Sequence, residues 1–210
     1  MTLSDRLLYG ILDLGYVAAA DAPRVMEQML EGGVDLVQLR AKKRPRDEVA
    51  ALAPLLQRLA TAAGVPFILN DDPPLAAELG LDGVHVGQDD LSVAQARRLL
   101  GPGRIVGKST HSMEQARAAI DEAPDYIGFG PLFATPTKPD YAPIGMEDLR
   151  QVHASVPLPI YCIGGIKREN METVLDAGAR RIVIVSGILQ APDIRAYCRE
   201  VKARLVSQAR

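Results

Sequence analysis

The feature that most constrains the fold is a regular alternation between short apolar runs and longer segments rich in Ala, Leu, Glu and Arg. The short runs are continuous, as in the IVIV stretch at residues 182–185, and do not alternate with polar residues. Continuous apolar runs are typical of parallel strands that are covered on both faces. We predict eight strands, at residues 8–14, 35–39, 66–69, 83–86, 104–108, 125–128, 158–163 and 181–185.

The spacing of these strands favours a closed barrel. Eight strand–helix units in 210 residues leave about 26 residues for each unit, which is close to the lower size limit of a (β/α)8 barrel. An open doubly wound sheet, the alternative, usually has fewer strands and a switch point in its strand order. No linker or low-complexity segment divides the chain. We therefore predict the α/β class and a single (β/α)8 TIM barrel domain over residues 1–210.

Composition excludes several classes of function. The chain has 24 Lys and Arg against 26 Asp and Glu, so it lacks the basic surplus of a nucleic-acid binder. No apolar run reaches the roughly 18 residues of a transmembrane helix, and the first residues do not resemble a signal peptide. Cys162 and Cys198 have no CxxC spacing and fit reduced thiols. We expect a cytoplasmic protein without nucleic-acid or membrane partners, and a homodimer is the default expectation for a soluble barrel.

Polar residues are concentrated at the carboxyl ends of the predicted strands and in the loops that follow them. Side chains at the carboxyl ends of barrel strands, and in the loops that follow, face the reaction site. Polar or glycine residues occupy seven of the eight such positions, and the long loop at residues 129–145 predicts an active-site cover. The candidate site residues are Gln38, Arg40, Lys42, Asn70, Asp71, Asp90, Ser109, His111, Thr135, Thr137, Lys138, Gly164, Gly165 and Ser186.

Two groups of these residues suggest a bound anion and a bound cation. Glycines after the seventh strand and Ser186 after the eighth could cradle a phosphate, or the glycines could merely turn the chain. Asp71 and Asp90 follow adjacent strands and could converge on Mg²⁺, or these acids could cap the next two helices. Arg40, Lys42 and Lys138 would then add a cationic lining suited to a metal–diphosphate complex.

The histidines and the standard motifs are less informative. We predict that His85 is packed and hydrogen-bonded and that His153 is exposed on a helix, whereas His111 alone has a route to the site. The sequence contains no GxSxG elbow, HExxH, Walker A or full GxGxxG motif. Hydrolase, zinc-protease and nucleotide-binding functions therefore have no motif support.

Eight short stretches of the sequence form a set that is informative in its order and spacing. The stretches are VQLRAK at 37–42, ND at 70–71, GVHVGQDDL at 83–91, GKSTH at 107–111, YIGFGP at 126–131, TPTK at 135–138, IGGI at 163–166 and VS at 185–186. Each stretch alone is weak, but their order and spacing are highly specific. Taken together, they resemble the thiamine phosphate synthase family, from about residue 8 to residue 188.

The resemblance implies a barrel enzyme that joins a hydroxymethylpyrimidine diphosphate to a hydroxyethylthiazole phosphate or its carboxylated form. Its products would be thiamine phosphate and diphosphate, with Mg²⁺ as cofactor. Arg40, Lys42, Ser109 and Lys138 would be the catalytic residues. By motif, the pyrimidine diphosphate would be bound by Gln38, Arg40, Lys42, Asn70, Ser109 and Lys138, the metal by Asp71 and Asp90, and the thiazole phosphate by Thr135, Thr137, Gly165, Val185 and Ser186.

Two other functions stay open at this point, and the sequence departs from the family pattern at three places, one of which is Leu12, where the family usually has Thr before Asp13. A homologous thiazole tautomerase would use His111 as a proton shuttle and would not need the acids, and a non-catalytic thiamine- or phosphate-binding barrel would show a decayed site. Ala41 replaces a usual acid. Lys108 replaces a usual small apolar residue beside Ser109, and we expect that it could alter substrate preference.

Overall fold

The predicted barrel is confirmed by a computed structural model, which describes residues 3, 5–134 and 142–208. Strands β1 to β8 close into a barrel in chain order, and every neighbouring pair is parallel. The strands are β1 Leu8–Asp13, β2 Leu36–Arg40, β3 Phe67–Asn70, β4 Gly83–Val86, β5 Ile105–Thr110, β6 Tyr126–Phe129, β7 Ile160–Cys162 and β8 Ile182–Ile184.

Helices follow the strands and cover the outside of the barrel. Their starts agree with local signals, because Ser92 and Ser112 accept backbone N–H groups as N-caps of α4 (Val93–Leu100) and α5 (Met113–Glu122). Asp72 caps α3 (Pro73–Glu78) in the same way. The α-helices are α1 Ala22–Glu31, α2 Arg46–Ala62, α3 Pro73–Glu78, α4 Val93–Leu100, α5 Met113–Glu122, α6 Met146–Ser155, α7 Met171–Asp176, α8 Ser186–Leu189 and α9 Ile194–Gln208.

The core has two layers, as the continuous apolar strands require. One layer lies between the strands and the helices and includes buried residues such as Leu8, Met26 and Leu56. The other fills the barrel interior and contains Tyr9, Tyr126 and Tyr161, whose rings meet edge to face. Because the interior is packed with side chains, a ligand can enter only at an end of the barrel.

Across the part of the chain that the structure describes, no helix is both long enough and apolar enough to cross a membrane.

Candidate active site

A cleft opens at the carboxyl ends of the strands, where the sequence predicts the site. Tyr9, His85 and Tyr126 lie among its lining residues, and apolar walls are provided by Ile11 and Val183. Nine predicted site residues come together on its surface: Gln38, Arg40, Asn70, Ser109, His111, Gly164, Gly165, Val185 and Ser186. The predictions for Thr135, Thr137 and Lys138 lie outside the described residues.

Lys42 and Asp71 lie in a neighbouring depression, to which Asn70 also contributes. The Lys42 ammonium is 3.2 Å from the Asp71 carboxylate. The backbone N–H of Asp71 donates to the carbonyl of His85 at 2.8 Å, and its φ of 65° is unusual for a residue other than glycine. These contacts place the carboxylate at the end of β3, beside the cleft.

Asp71 and Asp90 lie next to one another. Burial raises the pKa of Asp71, the Asp90 carboxylate raises it further, and Lys42 opposes both effects. Asp90 also accepts the backbone N–H of Gly87 at 2.6 Å. The alternative that these two acids cap helices is wrong, because Asp72 and Ser92 occupy the N-cap positions of α3 and α4.

The carboxylate pair fits a divalent cation by its donor chemistry. Two adjacent carboxylates repel each other, and a hard cation between them would remove that repulsion. Among residues 3, 5–134 and 142–208 there is no group of three or more His, Cys, Asp or Glu side chains that could hold a metal. A cation held by Asp71 and Asp90 would therefore need further oxygen ligands, such as water or substrate phosphate.

Arg40 has a partner that the sequence reasoning missed. Its guanidinium donates to the Asp13 carboxylate at 2.6 Å, and the two side chains are 15% and 3% exposed. Asp13 also accepts the N–H of Gly15 at 2.8 Å. Asp13 and Arg40 are register partners on β1 and β2, so the strand pairing could have revealed the contact.

A buried hydrogen-bond chain beneath the cleft was also missed. The Gln38 amide donates to the Tyr9 hydroxyl at 2.6 Å, and Tyr9 is 2.9 Å from the hydroxyl of Tyr126. Nδ1 of His85 is 3.0 Å from Tyr126, and its Nε2 is 2.9 Å from the Ser109 hydroxyl. The prediction that His85 is packed and hydrogen-bonded is confirmed.

The glycines after β7 are needed for the local packing. Gly164 has a φ of 101°, and a Cβ there would lie 2.3 Å from the Cα of Pro131. Gly165 has a φ of 65°, and a Cβ would lie 2.7 Å from that of Phe133. Both glycines therefore turn the chain and let the segment after β6 approach closely. Gly165 also lines the cleft, so its backbone is accessible to a ligand there.

The comparison with known proteins decides the family. A family model described as Thiamine monophosphate synthase matches residues 8–188. The chain belongs to this family. A thiamine-phosphate synthase from Halalkalibacterium halodurans is 41% identical over 207 residues, which is 98% of each chain. Another, from Thermus thermophilus, is 47% identical over 184 residues, covering 87% of this chain and 88% of the relative.

A solved structure has the same architecture. Thiamine phosphate pyrophosphorylase from Pyrococcus furiosus superposes with a TM-score of 0.87 and 30% identity, covering 97% of this chain and 96% of that one. The names of these relatives favour the thiamine phosphate synthase over the tautomerase and the non-catalytic barrel. His111, which the tautomerase would use, lines the cleft with its Nδ1 2.6 Å from the Gly130 carbonyl.

Two expectations for this family member need correction. Lys108 does not extend into the cleft: its ammonium is 2.9 Å from Glu122 on α5, outside the barrel, because successive strand side chains point to opposite faces. His153 lies on α6 as predicted but is only partly exposed, with Nε2 3.7 Å from the Cys162 sulfur. Burial lowers the pKa of His153, and Arg180 and Arg181 lower it further.

Proposed function

We propose that this chain joins hydroxymethylpyrimidine diphosphate to hydroxyethylthiazole phosphate, or to its carboxylated form, and releases thiamine phosphate and diphosphate. The carboxylated form would lose its carboxyl group as carbon dioxide as well. One observation supports this function most strongly. A carboxylate pair and the cations Arg40 and Lys42 lie at one side of a cleft that also has apolar walls and a glycine-containing corner. Such an arrangement suits two phosphorylated heterocycles that must react side by side.

The pyrimidine diphosphate would occupy the side formed by β2 to β5. Gln38, Asn70 and Ser109 offer neutral hydrogen-bonding groups to a ring, while Arg40 and Lys42 offer cations to the diphosphate. Lys138, by motif, would add a third cation. Bidentate or paired contacts from such cations are the usual means of holding phosphate oxygens.

Asp71 and Asp90 would hold Mg²⁺ beside that diphosphate. When bound, the ion supplies positive charge that stabilises the leaving diphosphate. The Lys42 ammonium lies 3.2 Å from the Asp71 carboxylate and would keep it oriented. The same ammonium would also contact an oxygen of the diphosphate. The two carboxylates leave open coordination positions for substrate oxygens, which Mg²⁺ accepts readily.

The thiazole phosphate would bind at the corner formed by the segments after β7 and β8. Gly165, Val185 and Ser186 line the cleft there, and Ser186 is the first residue of α8. The first N–H groups of a helix have no acceptors within that helix and can donate to an anion. By motif, Thr135 and Thr137 would complete this phosphate site.

The reaction needs no protein nucleophile. The bond between the pyrimidine methylene carbon and the diphosphate oxygen breaks, the electron pair leaves with the diphosphate, and the thiazole nitrogen forms the new bond to that carbon. Arg40 and Lys42 would stabilise the negative charge that develops on the leaving group. The apolar walls at Ile11, Ile163 and Val183 would limit the access of water, which would otherwise capture the reactive carbon.

The direct test is to supply purified protein with the pyrimidine diphosphate, Mg²⁺ and each thiazole form in turn. We expect equimolar release of thiamine phosphate and diphosphate, with a higher kcat/KM for one thiazole form. Absence of product with substrates that a relative converts in parallel would refute the proposed function. We also propose a cytoplasmic location and a homodimer, which fractionation and light scattering would test.

A further inference from the structure

The buried chain beneath the cleft joins two residues that are well separated in sequence. It begins at Gln38 on β2 and ends at Ser109 on β5, and both ends line the cleft. Its three middle members are Tyr9, Tyr126 and His85, and each is at most 9% exposed. Five polar groups in an otherwise apolar interior form one continuous path of short hydrogen bonds.

The direction of every hydrogen bond in this path follows from its first member together with the rule that a buried hydroxyl proton has an acceptor. The Gln38 amide donates to Tyr9, so the single Tyr9 proton is available to Tyr126. Tyr126 in turn donates its proton to Nδ1 of His85. A neutral imidazole with an accepting Nδ1 has its proton on Nε2, which then donates to Ser109. Each proton in the chain thereby has an acceptor.

The two ends of the hydrogen-bond chain consequently present a donor and an acceptor to the cleft. The Ser109 oxygen accepts from His85, so its own hydroxyl proton is left to donate to a ligand. Gln38 uses an N–H on Tyr9, so its carbonyl oxygen is left to accept. Burial raises the pKa of both Tyr9 and Tyr126, so both phenols stay neutral near neutral pH.

We propose that Tyr9, Tyr126 and His85 are positioning residues that make Ser109 a hydrogen-bond donor and Gln38 an acceptor toward the pyrimidine ring. An aminopyrimidine edge has the complementary pair, a ring nitrogen that accepts and an exocyclic amino group that donates. A hydroxypyrimidine, in its lactam form, has the reverse pair and would be rejected. This inference rests on the proposed function, because it assumes that the pyrimidine substrate binds between these two residues.

The test removes the Tyr126 hydroxyl and compares this variant with the same substitution at Tyr161. Tyr126→Phe removes the link between Tyr9 and His85, after which the Tyr9 proton and the His85 tautomer are no longer directed. Tyr161→Phe is the control, since Tyr161 belongs to the same ring cluster but donates its hydroxyl to the Arg6 carbonyl, outside the chain. Thermal unfolding of both variants establishes that each is folded.

We expect Tyr126→Phe to raise the KM for the pyrimidine diphosphate at least roughly tenfold, because Ser109 and Gln38 would no longer be held as donor and acceptor toward the ring. The KM for the thiazole phosphate should stay within about twofold, and Tyr161→Phe should leave both values within about twofold of wild type. Equal effects of the two substitutions on the pyrimidine KM would overturn the inference, even if the wild-type protein makes thiamine phosphate.

A spectroscopic measurement tests the hydrogen-bond chain without any measurement of turnover. Nitrogen-15 NMR of the wild-type protein, with the His85 signals assigned by comparison with His85→Gln, should show a protonated Nε2 and an unprotonated, accepting Nδ1. The same spectrum is expected for Tyr161→Phe, and a shifted tautomer mixture for Tyr126→Phe. A wild-type Nδ1–H tautomer or an imidazolium would overturn the inference. The NMR spectrum tests only this inference, whereas the product assay tests only the proposed function. A failure of one can therefore be told apart from a failure of the other.

Discussion

Replacing Asp13 with asparagine tests whether Arg40 is held in place by a buried carboxylate. The substitution keeps the size of the side chain and can keep the bond from the Gly15 N–H, but it removes the charge opposite the Arg40 guanidinium. Breaking a buried ion pair by removing one partner costs about 3–5 kcal/mol. Arg40 is 15% exposed at the cleft, so water can partly replace the lost partner. We therefore expect a cost of about 2–3 kcal/mol.

The assays are thermal unfolding and steady-state kinetics. For a chain of this size, that cost corresponds to a fall in Tm of about 4–12 °C. We also expect kcat/KM for the pyrimidine diphosphate to fall roughly tenfold to a hundredfold, because a displaced guanidinium no longer meets the leaving group.

Asp21→Asn is the control for Asp13→Asn, since its pair with Arg24 is on the surface, with both side chains more than half exposed. Loss of that pair should change stability by no more than about 1 kcal/mol. Wild-type Tm and kcat/KM in Asp13→Asn would refute the positioning role of Asp13.

Two further predictions concern residues on opposite sides of the barrel wall. Ser186→Ala should raise the KM for the thiazole phosphate more than the KM for the pyrimidine diphosphate, because Ser186 lines the corner proposed for that phosphate; an unchanged thiazole KM would place the phosphate elsewhere. Lys108→Met should lower stability by about 1–2 kcal/mol through loss of the Glu122 contact and leave both KM values unchanged; altered substrate preference would contradict its position outside the barrel.

Much of the fold was predictable because its signals are local. Continuous apolar runs marked all eight strands, and no predicted end differs from the structure by more than two residues. The N-caps of α4 and α5 are local signals as well, because Ser92 and Ser112 each accept a backbone N–H from the residue three positions further along the chain. Such signals depend on neighbours within a few positions, so one sequence is enough to show them.

The positions of cleft residues were predictable where a residue lies at or near the carboxyl end of a strand. Gln38, Asn70 and Ser109 line the cleft as expected, because the ends of parallel barrel strands converge. The sequence left open whether Asp71 and Asp90 hold a metal or cap helices. The helix-cap alternative depended on which of several nearby polar side chains accept the free N–H groups at the starts of α3 and α4. In the structure, Asp72 and Ser92 accept them.

The remaining features depend on which face of a strand a side chain occupies and on contacts across the barrel. Lys108 and Ser109 are adjacent in sequence, yet they lie on opposite faces of β5. Tyr9 and Tyr126 are 117 positions apart, and only barrel closure brings their hydroxyls within 2.9 Å. In the sequence both tyrosines are indistinguishable from ordinary core aromatics.

The most direct test of the account is the dependence of diphosphate release on Mg²⁺ in wild-type protein, Asp71→Asn and Asp89→Asn. Asparagine tolerates the positive φ at position 71, so the fold should be retained. Asp89 is exposed beside Asp90 and provides the same change of charge outside the pair. We predict that Asp71→Asn lowers kcat roughly a hundredfold or more while Asp89→Asn matches wild type. An undiminished rate and unchanged Mg²⁺ dependence in Asp71→Asn would contradict the metal-assisted departure of diphosphate.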